Sequence, residues 1–157
     1  MNPDNATNAF NATNAINATN ADNASGVGNT AVRKFSLIGP GPMAGTEILN
    51  INSLQLQASC DAGGSVTLTA TITLDDREIS AYSHDASNPA STTNEAGSND
   101  DVFNAGDTFM LPNSSHTDEI GQGRFISGDG NFVDFTYTEE DNIGTNQCVL
   151  YGFAIAS

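Results

Sequence analysis

The 157-residue sequence predicts an all-β fold: an antiparallel β-sandwich or jelly-roll-like domain preceded by a low-complexity repeat segment. Three observations carry that expectation. Apolar residues alternate strictly with Thr and Gln over two long stretches, the period of a strand with one dry face. Clusters of Gly, Asp and Asn punctuate the chain at the spacing of turns. The opening segment repeats Asn-Ala-X triplets, and these build no continuous apolar stripe.

The repeat occupies residues 5–25, from Asn5-Ala6-Thr7 to Asn23-Ala24-Ser25. Its third position alternates, laying a six-residue period over the triplet. Steps of three drift by roughly 60° each around a 3.6-residue helix, so Phe10 and Ile16 do not share a face. A lone amphipathic helix is thereby excluded. The expectations left are an extended stalk with too little apolar surface to offset its ordering entropy, one strand of a multi-chain stalk, or a coil of a left-handed β-helix. An ordered stalk favours a trimer; self-association into a homo-oligomer is the expected partnership. Asn5, Asn11, Asn17, Asn23 and Asn113 head Asn-X-Ser/Thr triplets, the first four as by-products of the repeat. Residues 1–31 are read as stalk and linker, and 32–157 as the β-domain.

Within that domain, residues 35–38 and 48–51 are short strands. Leu54, Leu56, Ala58 and Cys60 alternate with Gln55, Gln57 and Ser59. Val66, Leu68, Ala70, Ile72 and Leu74 alternate with four threonines in the clearest strand. Asp75-Asp76 suggests a tight hairpin into a strand over 77–83. Residues 84–101 read as a long polar connection. Gly128-Asp129-Gly130-Asn131 is a turn joining 124–126 to 132–137, in which Val133, Phe135 and Tyr137 share a face. Residues 148–156 are apolar on both faces, which implies a central, doubly covered strand or one packed against another subunit.

Cys60 and Cys148 are the only cysteines, each at a strand end in core phase. They form either a disulfide between an early strand and the last one or two buried thiols. No Cys-X-X-Cys spacing points to metal or redox chemistry. The Asn-Ala-Thr repeats, with Leu54-Gln55-Leu56-Gln57-Ala58-Ser59-Cys60-Asp61 and Cys148-Val149-Leu150-Tyr151-Gly152 in the domain that follows, resemble bacterial secreted or surface proteins in which a repetitive stalk carries a C-terminal β-head. That resemblance implies export and a stalk-and-head arrangement, and brings no catalytic residues.

Nineteen acids against four bases leave a formal charge of −15, which repels nucleic-acid phosphates and anionic lipid surfaces. No apolar run reaches the roughly 18 residues a membrane helix needs, so no membrane insertion is expected. No signal peptide is visible at Met1-Asn2-Pro3-Asp4, although the composition suggests an extracellular or cell-surface protein. His84 and His116 stand outside any zinc or triad pattern, no phosphate loop is present, and no catalytic residue is assigned. Asp100, Asp101, Asn104 and Asp107, with Asn99, gather oxygen donors in a short span and form a candidate calcium site, though without EF-hand spacing; Asp129, Asn131 and Asp134 form a second set. The reading that follows is a non-enzymatic extracellular structural or interaction module. The alternative is a carbohydrate-binding sandwich, calcium-dependent or not, with Tyr82, Tyr137 and Tyr151 as the tyrosines able to meet a glycan.

Overall fold

The computed structural model describes residues 26–27, 30–85, 95–111, 118–141 and 147–157. The repeat, Asn113 and His116 lie outside them. Eleven strands follow in order: β1 (Gly26–Val27), β2 (Thr30–Pro40), β3 (Met43–Ile51), β4 (Leu54–Cys60), β5 (Val66–Ile72), β6 (Arg77–Asp85), β7 (Glu95–Phe103), β8 (Thr108–Met110), β9 (Asp118–Ile126), β10 (Phe132–Asp141) and β11 (Gln147–Ala156). They form two antiparallel sheets, one of seven strands ordered β1-β2-β11-β10-β9-β6-β7 and one of four ordered β3-β4-β5-β8. The protein is an antiparallel β-sandwich, and its pairing starts upstream of Val32, with Gly26–Val27 against β2.

The core follows the alternation. Leu54, Leu56, Ala58 and Cys60 of β4 and Val66, Leu68, Ala70 and Ile72 of β5 are all buried. They face Phe35, Leu37, Ile79, Phe125, Val133, Phe135 and Leu150 of the larger sheet, forming one continuous apolar layer. Leu74 departs from the pattern: β5 ends at Ile72, and Leu74 is half exposed.

Turn chemistry sets the register. Asn52 and Ser53, both at positive φ, make a two-residue loop that pairs Ile51 with Leu54, the geometry that matches strand twist. The Asp61 carboxylate accepts bonds from the Gly63 and Ser65 amides at 2.7 and 3.0 Å and closes the β4–β5 turn. Between β9 and β10, the Ser127 amide donates to the Asn131 carbonyl at 2.8 Å, as the Gly128–Asn131 turn signal anticipates. Ser127 Oγ and Asn131 both bond the Asp129 carboxylate, holding its pKa below the ordinary 3.8.

Two connections differ from the sequence expectation. Asp75-Asp76 is not a hairpin turn, because β5 and β6 belong to different sheets and the chain crosses the sandwich there. The crossing is stitched to the β7–β8 loop: Asp75 Oδ1 accepts from the Ala105 amide at 2.9 Å, and the Asp76 amide donates to Asn104 Oδ1 at 3.2 Å. Nor are residues 84–101 one long loop. β6 runs on to Asp85, and β7 returns beside it with His84 opposite Glu95 and Tyr82 opposite Gly97. Polar side chains hid β7, an edge strand whose composition of Asn, Asp, Ser and Gly blunts further pairing.

Cys60 and Cys148 are joined, with Cα atoms 6.1 Å apart, and so tie β4 of the small sheet to β11 of the large one. At the same end, Glu139 of β10 reaches across the interior and accepts the Val66 amide of β5 at 3.2 Å. The two sheets are thus held by a covalent bond and a buried hydrogen bond. Gly121 and Gly123 on β9 serve close approach: a Cβ on either would fall into the ring of Tyr137 or Phe135 lying over it from β10. These cross-strand ring-on-glycine pairs fill the inner face of the larger sheet.

Candidate functional site

The seven-stranded sheet presents a second face, and its composition follows from the same alternation. β11 lies between β2 and β10. Its inward residues Cys148, Leu150, Ala154 and Ala156 are buried, whereas Tyr151 and Phe153 keep 45 % and 44 % exposure on the other side. The strand is therefore central along the sheet but, among the described residues, covered on one face only. Val32, Ile38 and Ile120 add exposed apolar surface on that same side.

Ladder register arranges these side chains in rows across the strands. One row runs Lys34, Phe153, Thr136, Gln122, Tyr82. The next runs Val32, Ile155, Asp134, Arg124, Ser80. Three inter-strand steps separate Phe153 from Tyr82, about 14 Å at the usual strand spacing. Between them lies a groove of about 650 Å³ whose lining includes Gln122, Arg124, Asp134 and Thr136. Phe153 also belongs to the lining of a neighbouring groove of about 700 Å³, with Val32, Ile48 and Tyr151, and so stands as the ridge between the two.

Arg124 and Asp134 sit directly opposite one another in the ladder and form a two-pronged pair, Nε–Oδ1 at 2.6 Å and Nη2–Oδ2 at 2.8 Å. The hydrogen bonds hold the Asp134 carboxyl below its ordinary value and the Arg124 guanidinium above its own, with the charge attraction adding to both. Tyr151 Oη donates to Glu140 Oε1 at 3.3 Å, and the Tyr82 and His84 rings stack side by side along β6 with centroids 6.3 Å apart.

Of the calcium candidates, Asn104 and Asp107 meet in one loop, and each of the four is engaged in local hydrogen bonds. Asp100 and Asp101 are consecutive residues of β7, where neighbours point to opposite faces. Asp100 Oδ1 accepts from the Val102 amide at 3.0 Å, Asp101 Oδ1 from Asn99 Nδ2 at 3.1 Å, and Asp107 Oδ2 from the Asn104 amide at 3.0 Å. Asn104 is a loop staple, donating Nδ2 to the Val102 carbonyl at 3.1 Å while its Oδ1 takes the Asp76 amide. In the second set, Asp129 is spent on its turn and Asp134 on Arg124. Among the described residues no three acid, His or Cys side chains are placed to hold an ion.

Of the three tyrosines, Tyr82 and Tyr151 lie on the outer face and Tyr137 does not. Tyr137 is buried in the core, its phenol pushed above the ordinary 10.0 first by desolvation, then by Glu119 and Glu139. Those two glutamates, opposite each other on β9 and β10 and both buried, form with Tyr137 and Ser83 a polar patch inside the sandwich. Sequence reading missed them although a signal was present. Glu139 continues the phase of Val133, Phe135 and Tyr137, and Glu119 that of Phe125, Gly123 and Gly121.

Comparison with family models, curated proteins and solved structures gives no match to this chain. Fold and face together describe a β-sandwich with one open, aromatic-bearing sheet surface.

Proposed function

We propose that this protein is a non-enzymatic extracellular interaction module, a β-sandwich head borne by the Asn-Ala-X segment, which recognises its partner through the outer face of the seven-stranded sheet. One observation carries this reading: β11, inside the sheet and apolar on both sides, turns Tyr151 and Phe153 outward beside two grooves. Aromatic side chains exposed on a rigid sheet offer large contact area at low entropy cost. Arg124 and Asp134, the charged pair in the middle of the face, are engaged with each other rather than converging on a reacting atom, which favours binding over chemistry. The Cys60–Cys148 bond supports an oxidising compartment, where such bonds persist.

The test is to immobilise the full chain and probe it with soluble polysaccharides, glycoproteins and the chain itself. Binding should be lost in Tyr151→Ser/Phe153→Ser and kept in Thr67→Ala/Thr69→Ala, on the outer face of the opposite sheet. A binder indifferent to the aromatic pair sinks the assignment of the face. Shortening or modification of a bound probe sinks the non-enzymatic reading.

A further inference from the structure

We infer that the groove between Phe153 and Tyr82 is a subsite for a neutral oligosaccharide laid across β11, β10, β9 and β6; this rests on the proposed recognition face and names what it takes. Its walls and floor differ in kind. At the two ends stand aromatic rings, from Phe153 and Tyr82, able to pack on the C–H faces of sugar rings. The floor between them is polar: Gln122, Arg124, Asp134 and Thr136.

The floor matches hydroxyl groups, which donate and accept at once. Arg124 spends Nε and one Nη2 hydrogen on Asp134, which leaves guanidinium hydrogens directed elsewhere. Each Asp134 oxygen takes one of those bonds and retains acceptor capacity. Gln122 supplies an amide donor and acceptor, Thr136 a hydroxyl. Donors and acceptors therefore lie side by side on neighbouring strands, held by the ladder rather than by loops.

Charge argues for a neutral ligand. The one cation of the floor is already neutralised by its partner at 2.6 Å, so the groove offers no unspent positive charge to an acidic sugar. The whole chain carries −15 and repels anions at longer range. A volume of about 650 Å³ and a wall-to-wall span of about 14 Å suit a short oligomer better than a single sugar ring.

The experiment uses the full chain in affinity gels and titration calorimetry against neutral polysaccharides (β-glucan, mannan, galactan) and acidic ones (alginate, hyaluronan). Retention by at least one neutral polymer is expected, with little change between low and high salt. Phe153→Ala and Tyr82→Ala should each weaken it about tenfold or more, Arg124→Ala likewise, with melting profiles reported for every variant. Because Phe153 is exposed, its variant keeps the test valid if Tyr82→Ala unfolds. Binding confined to acidic polymers, or binding abolished by salt, overturns the inference. If no glycan is retained yet Phe153→Ala disrupts self-association or a protein contact, the glycan assignment falls and the recognition face stands. If no glycan is retained and Phe153→Ala changes no interaction, both fall.

Discussion

Replacing Cys60 and Cys148 together by Ala removes the one covalent tie between the sheets, and the structure sets how much that should cost. The bond spans 88 residues, so it closes a loop containing most of the β-domain. In the loop-entropy treatment such a closure stabilises by about 4.5 kcal/mol at room temperature, because it restricts the unfolded chain. Both sulfurs are buried, and deleting them also leaves unfilled volume, which adds roughly 1 kcal/mol. Against a typical total of about 5–15 kcal/mol, the double variant should be marginal. Urea unfolding of the oxidised protein and the double-Ala variant, followed by far-ultraviolet circular dichroism, measures the difference. The variant should also show a larger denaturant slope, since its unfolded chain is no longer cross-linked and exposes more surface. A loss below about 1 kcal/mol with an unchanged slope would refute the reasoning, by showing that the unfolded state stays compact without the bond.

Tyr137 predicts an alkaline weakness. Its phenol is raised above 10.0 in the folded state, so the stability it contributes is complete below that pH and falls as pH climbs above it, by up to about 1.4 kcal/mol per pH unit. Urea midpoints taken from about pH 9 to 11.5 should decline in the native protein and decline less steeply in Tyr137→Phe; parallel curves would contradict this. Ser53 sits at φ 69° with its hydroxyl buried and unpaired, so Ser53→Gly should raise stability by about 1 kcal/mol. Asn104→Ala frees the loop that bonds Asp76 and Val102, and should cost about 1 kcal/mol equally in calcium and in chelator. A loss seen only with calcium would return Asn104 to an ion site.

Much of the fold was legible because alternation along a strand is a local property. Each of Leu54, Leu56, Ala58, Cys60, Val66, Leu68, Ala70 and Ile72 is buried in the phase its sequence neighbours announce. Local signals failed where partners decide. Asp75-Asp76 resembles a hairpin turn until the sheet assignment of β6 is known, and Asn99-Asp100-Asp101 resembles a loop until β6 offers it an edge. The outer face proposed for recognition was less legible still. Phe153, Thr136, Gln122 and Tyr82 come from four strands, and only the register of three ladders sets them in a row. Glu119 and Glu139 were readable from phase but were masked by the assumption that acids face water.

The pairing of β2 with β11 sets Ala31 opposite Ala156, joining nearly the first and last positions of the sandwich. During synthesis the larger sheet therefore stays split, with β2 on one side and β10-β9-β6 on the other, until Ala156 has cleared the ribosome. For that interval the facing edges of β2 and β10 are open to other nascent chains, and Cys60 has no sulfur to meet. The larger sheet thus closes only when β11 is in place, so the yield of folded protein depends on keeping the β2 and β10 edges apart from other chains until then.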